Sequence, residues 1–111
     1  MKTKQQHSEQ WLDDAIRHLK VLCGQAAEYS CEYVVPTDRT LRSAIEIMEQ
    51  LQTAQRPSIT LTQDGEIVLD WEHTSDRFKA IIGSNGSITL YQNKKTIKLE
   101  AFTRRLTSIP A

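Results

Sequence analysis

Pro57 to Trp71, PSITLTQDGEIVLDW, decides the fold. Ile59 and Leu61 alternate with Ser58, Thr60 and Thr62, and Ile67, Leu69 and Trp71 alternate with Val68 and Asp70 beyond Gln63-Asp64-Gly65. Alternation at period two marks a strand with one buried face, so the stretch reads as a β-hairpin. A two-residue Asp64-Gly65 loop would pair Leu61 with Val68 and set Ile67, Leu69 and Trp71 opposite threonine and serine. A three-residue loop, 63–65, pairs Leu61 with Ile67 and Ile59 with Leu69. A slip of one residue turns a whole strand inside out, so the apolar pattern selects the second register. That loop is a type I turn followed by a left-handed residue, a place suited to Gly65.

The same logic runs downstream. After a polar loop, Glu72 to Asp76, a strand from Arg77 to Gly83 puts Phe78, Ala80 and Ile82 on one face. Ser84-Asn85-Gly86 repeats the turn chemistry and pairs Ile82 with Ile88 and Ala80 with Leu90. Asn93-Lys94 then closes a hairpin with Leu90 opposite Ile97 and Ile88 opposite Leu99. Five consecutive strands result, sharing an apolar face that runs from Ile59 to Leu99.

One face of such a sheet must be covered, and the first half of the chain supplies the cover. Ser8 is placed to cap a helix to about Gln25, with Glu9, Asp13 and Asp14 near its positive end. Residues 1–7 read as a frayed polar end. Trp11, Leu12, Ala15, Ile16, Leu19 and Leu22 form the apolar stripe. Gly24 offers a stop, with extension to about Cys31 as the alternative. Tyr29 to Pro36 reads as a helix end and an extended connector, because Pro36 disfavours helical backbone at Val35. Thr37 or Asp38 then caps a second helix, about 38–54, with Leu41, Ala44, Ile45, Met48 and Leu51 inward. The expected fold is α+β: two N-terminal helices packed on one face of a five-stranded antiparallel meander sheet. It is a single domain, 1–111, with a helical half at about 8–54 and the meander at about 57–103.

The motif Pro57-x-Ile59-x-x-Thr62-x-Asp64-Gly65-x-Ile67-x-Leu69-x-Trp71, preceded by a helix start at Thr40-Leu41-Arg42-Ser43-Ala44, resembles a group of small uncharacterised prokaryotic and phage-type proteins. The likeness covers about residues 37–91. Upstream this chain departs from the group, having Tyr29 to Pro36 where a W-D-x-Y-G-A type stretch is usual. The resemblance implies the fold and a prokaryotic or phage setting, and carries over no catalytic residue.

Length, 39% apolar content and 25% charge are those of an ordinary globular domain. No apolar run approaches the ~20 residues of a membrane span, and the N-terminus has no apolar signal core, so a cytoplasmic protein with no membrane partner is expected. Two cysteines, Cys23 and Cys31, suit a reducing compartment. Zero net charge conceals polarity: residues 1–75 carry 7 Lys/Arg and 12 Asp/Glu, and residues 76–111 carry 7 and 2.

No residue set supports catalysis or a cofactor. Cys23, Cys31, His7, His18 and His73 lack metal-ligand spacing, and Cys23 reads as a small buried hydrophobe. Asp70, Glu72, His73 and Asp76 fall on a strand end and loop, where solvated polar residues are ordinary. Asp70 lies opposite Lys79, which suggests a cross-strand ion pair. Two surfaces remain. Thr60, Val68, Ile81, Thr89 and Tyr91 share the outer sheet face and make a semi-apolar patch suited to another protein or a second copy. Lys94, Lys95, Lys98, Arg104 and Arg105 form a basic end. The reading is a non-catalytic protein-interaction protein: an adaptor, inhibitor or antitoxin-like factor. The first alternative is nucleic-acid binding through the basic end. The second is an inhibitor that mimics nucleic acid with Asp13, Asp14, Glu28, Glu32, Glu46 and Glu49 of the helical half.

Overall fold

The computed structural model describes residues 4–29 and 31–109, with side chains described from Trp11 onward. In chain order the elements are α1 (Lys4–Glu28), α2 (Asp38–Gln50), β1 (Ser58–Leu61), β2 (Ile67–His73), β3 (Asp76–Ile82), β4 (Ile88–Gln92), β5 (Lys95–Thr96) and α3 (Leu99–Thr107). The five strands form one antiparallel sheet in the order β1-β2-β3-β4-β5, an up-and-down meander.

The two glycine turns set the registers. The Gly65 N–H donates to the Thr62 carbonyl, and the Thr62 N–H donates to the Glu66 carbonyl, closing a three-residue loop. Gly86 and Gly83 repeat the arrangement across residues 84–86. Both turn glycines have left-handed backbone, with φ of 82° at Gly65 and 84° at Gly86. Gly86 is doubly constrained, because a Cβ there would meet Arg39 Cγ at 2.6 Å. Leu61 lies opposite Ile67, Ile59 opposite Leu69, Ile82 opposite Ile88 and Ala80 opposite Leu90.

The connection between β2 and β3 is shorter than the expected loop 72–76. Glu72, His73 and Asp76 are paired strand residues, and Thr74-Ser75 alone makes the turn, with Thr74 at φ 45°. Extending the ladder satisfies backbone groups that a longer loop would leave to solvent.

The helices differ from expectation at their ends. α1 begins at Lys4, so Ser8 lies within it rather than at its cap; Lys, Gln and Glu around it are good helix formers and no breaker intervenes. Expectations for residues 1–3, and for the side chains of Lys4, His7 and Glu9, lie outside the described residues. α1 passes Gly24 and stops at Glu28. Thr37 caps α2, its hydroxyl accepting from the Thr40 N–H at 3.2 Å. α2 ends at Gln50, four residues early, and Leu51 to Ala54 form a turn in which the Ala54 N–H donates to the Leu51 carbonyl. Two tryptophans hold the exit from that turn. Trp11 Nε1 donates to the Ala54 carbonyl and Trp71 Nε1 to the Gln55 carbonyl, both at 2.9 Å. A buried indole N–H needs such a partner, and the pair ties α1 and β2 to one short connector.

The largest correction lies at the C-terminal end. The pairing does continue to Ile97, whose N–H donates to the Leu90 carbonyl, but Leu99 never pairs with Ile88. The fifth strand is two residues long, and residues 99–107, expected as its continuation and the tail, are a third helix. α3 buries Phe102 and Leu106 on the same sheet face as α1 and α2. The Phe102 ring meets Trp71 and Phe78 edge-on, with centroids 5.6 and 5.7 Å away. Ile88 and Leu99, expected in the covered layer, are instead about two-fifths exposed. Helix periodicity at Phe102 and Leu106 outweighs the alternation of Ile97 and Leu99, because only the helix carries an aromatic ring onto Trp71 and Phe78. Three helices, rather than two, cover one face of the sheet. The other face is open.

Candidate functional site

The strand registers assemble the open face into rows. Thr60, Val68, Ile81 and Thr89 stand side by side across β1 to β4. The next row is Ser58, Asp70, Lys79, Tyr91 and Thr96. All five residues of the semi-apolar patch therefore lie together. Val68, Ile81 and Tyr91 are half-buried by their neighbours, while Thr60 and Thr89 are exposed. Between β3 and β4 the side chains part into a groove of about 240 Å³ lined by Arg77, Lys79, Ile81, Tyr91 and Lys94.

The turn that holds Lys94 is well anchored. Asn93 and Lys94 both have left-handed backbone, with φ of 52° and 72°, the geometry of a tight two-residue hairpin. The Asn93 N–H donates to the Arg77 carbonyl at 2.8 Å, and its side-chain oxygen accepts from the Arg77 N–H at 2.9 Å. Its amide nitrogen donates to Asp76 at 3.0 Å. These bonds dock the turn on the start of β3 and fix Lys94 beside the groove.

Asp70 does lie opposite Lys79, but its ion pair is with Arg77, with Nε and Oδ1 4.0 Å apart. Arg77 reaches Asp70 diagonally while hydrogen-bonded to Glu72, its direct cross-strand neighbour. A long, forked guanidinium serves two carboxylates where an ammonium serves one. The Glu72 hydrogen bond, then the charges of Glu72 and Asp70, raise the pKa of the already cationic Arg77 further. Among the described residues Lys79 and Lys94 have no ion-pair partner. The groove thus carries two uncompensated positive charges beside an aromatic ring.

No protein-family model, curated protein or solved structure matches this chain.

The expected basic end does not form one surface. Lys94 joins the open face. Lys98 is the N-cap residue of α3 and borders a separate opening of about 400 Å³ with Ile47, Ile88, Leu90, Ile97 and Leu99. Lys95 pairs with Gln92, whose side chain accepts from Arg105, so these lie toward the helix side of the β5 edge. Arg104 is exposed on the last turn of α3. The residues missed in the sequence are Arg77 and Lys79 as partners of Lys94. Their signal was present: positions 77, 79 and 81 alternate onto one strand face, which made Arg77-x-Lys79-x-Ile81 legible as a cationic and apolar strip.

The other chemical candidates stay apart. Cys23 is half-buried on α1, and burial pushes its thiol pKa up, away from the reactive thiolate. Cys31 is exposed in the following turn. Asp70 and Glu72 point to the open face, whereas the paired His73 and Asp76 stand on the opposite one. Among the described residues no three His, Cys, Asp or Glu side chains are grouped to hold a metal ion, and no helix is long and apolar enough to cross a membrane.

Proposed function

We propose that this chain is a non-catalytic interaction protein that binds another protein through its open sheet face, as a prokaryotic or phage adaptor, inhibitor or antitoxin-like factor. The supporting observation is the arrangement of that face: Val68 and Ile81 paired at its centre, Tyr91 beside them, and Lys79 and Lys94 at the border. An apolar centre with an aromatic anchor and a charged rim is the layout of a protein interface. A double variant, Val68→Glu/Ile81→Lys, keeps the fold because both side chains face away from the core. It should weaken capture of the native partner at least about tenfold in pull-down and titration. An unchanged complex would remove this face from the proposal.

The groove favours a second reading, nucleic-acid binding, because Arg77, Lys79 and Lys94 surround Tyr91, a ring on which a base can stack. This reading expects retention of single-stranded nucleic acid at low salt. The logarithm of affinity should fall with the logarithm of salt by about 0.7 per phosphate neutralised. Filter binding at low salt with no retention would end it.

A further inference from the structure

The β1 edge is a separate feature that the open face does not use. The turn closes with the Thr62–Glu66 hydrogen bond, and in an antiparallel ladder bonded and unbonded positions alternate. Thr60 and Ser58 therefore direct their backbone groups to β2, and Ile59 and Leu61 direct theirs outward. Among the described residues, no backbone hydrogen bond reaches Ile59 or Leu61 from outside the sheet. Sheet edges are ordinarily blunted by shortness, lysine or proline. The opposite edge follows that rule, since β5 is two residues long, includes Lys95 and follows Lys94. β1 is twice as long and carries no charge or proline within it. The connector covers only its turn end, where the Val34 N–H donates to the Gln63 carbonyl at 2.9 Å.

Beside this unpaired edge lies a groove of about 510 Å³ between the last turns of α1 and β1. Leu22, Ala26, Tyr29, Tyr33, Ile59 and Leu61 give it apolar walls. Its charge has one sign. Glu28 lines it, no basic residue occupies the last turn of α1, and that helix end carries the negative pole of the helix dipole. Residues 21–36 contain Glu28 and Glu32 and no lysine or arginine. The adjoining turn adds Asp64 and Glu66, while Asp70 and Glu72 are already paired with Arg77.

We infer that β1 accepts an extended segment of a partner protein as an added antiparallel strand, and that this segment is apolar at the alternate positions facing the groove and flanked by lysine or arginine. Main-chain bonds to Ile59 and Leu61 supply attachment, the groove takes the apolar side chains, and the acidic surroundings select the cations. In this register the apolar residues of the guest lie opposite Ile59 and Leu61, and their amides face β1.

The test is a titration of the full chain with a short capped peptide of alternating valine and threonine flanked by lysines, read by amide resonances and hydrogen exchange. The expected result is slowing of exchange at Ile59 and Leu61 by at least about tenfold at saturation, with binding abolished when the valine amides are N-methylated. Glu28 and Glu32 are exposed, so a Glu28→Lys/Glu32→Lys variant should fold normally. It should bind the lysine-flanked peptide about tenfold more weakly and prefer a glutamate-flanked peptide instead. Four results would overturn the inference: no binding at about 1 mM peptide, equal affinity for both peptides, binding that survives N-methylation, or self-association of the free chain that protects those same amides.

Discussion

Phe102→Ala should lower folding stability by about 3–5 kcal/mol, the largest single effect expected outside the strands. The side chain is fully buried, and its ring is the piece of α3 that lies against Trp71 and Phe78. Its removal forfeits two edge-on aromatic contacts and leaves a cavity beneath two large rings that cannot close over it. α3 has nine residues, too few to be helical without tertiary support, so losing its main anchor releases Leu106 as well. Urea denaturation followed by tryptophan fluorescence measures the effect directly. A loss of less than about 1 kcal/mol would mean that α3 is not docked on the sheet, since even a modest aromatic pair adds about 0.5–1.5 kcal/mol beyond its buried area.

Leu69→Ala and Ile82→Ala should each cost about 2–5 kcal/mol, and the two should differ in order. Leu69 is fully buried in β2, between Ile59 on one side and the small Ala80 on the other. Nothing nearby can move into the space it vacates, so its loss falls toward the upper end. Ile82 is also fully buried, but it pairs with Ile88, which is partly open to solvent. That corner can relax, so Ile82→Ala falls toward the lower end. Domains of this kind have about 5–15 kcal/mol in reserve, and the Leu69 variant therefore approaches the limit of folding. Thermal and urea midpoints give both values. An unchanged midpoint for either variant would contradict its place beneath the helices.

The pairing of the strands was legible because its determinants are local. Gly65 and Gly86 occupy positions whose backbone excludes most side chains, and parity then dictates that Leu61 meets Ile67 and Ile82 meets Ile88. The open face followed from the same parity, so Thr60, Val68, Ile81, Thr89 and Tyr91 were found together. The Asp70–Arg77 ion pair was not legible, because register places Lys79 directly opposite Asp70 and only side-chain reach and direction favour the diagonal Arg77. That choice freed Lys79 and created the groove with Lys94.

α3 was hidden for a related reason. Ile97 and Leu99 alternate as a strand does, while Leu99, Phe102 and Leu106 also fit a helix, and so short a segment cannot discriminate by periodicity alone. The decision lies in surfaces remote in the chain: α1 packs toward β1, α2 toward β2 and β3, and α3 toward β4, so that Phe102 covers Trp71 and Phe78. By itself the sequence determined the two N-terminal helices, the meander, its registers and the composition of each sheet face, since these follow from backbone sterics and the period of apolar residues. Tertiary structure alone decided that a third helix completes the cover, that Ile88 remains partly exposed, and that the β1 edge stays open beside an acidic groove. Those outcomes depend on how surfaces far apart in sequence fill space against one another, which no local pattern encodes.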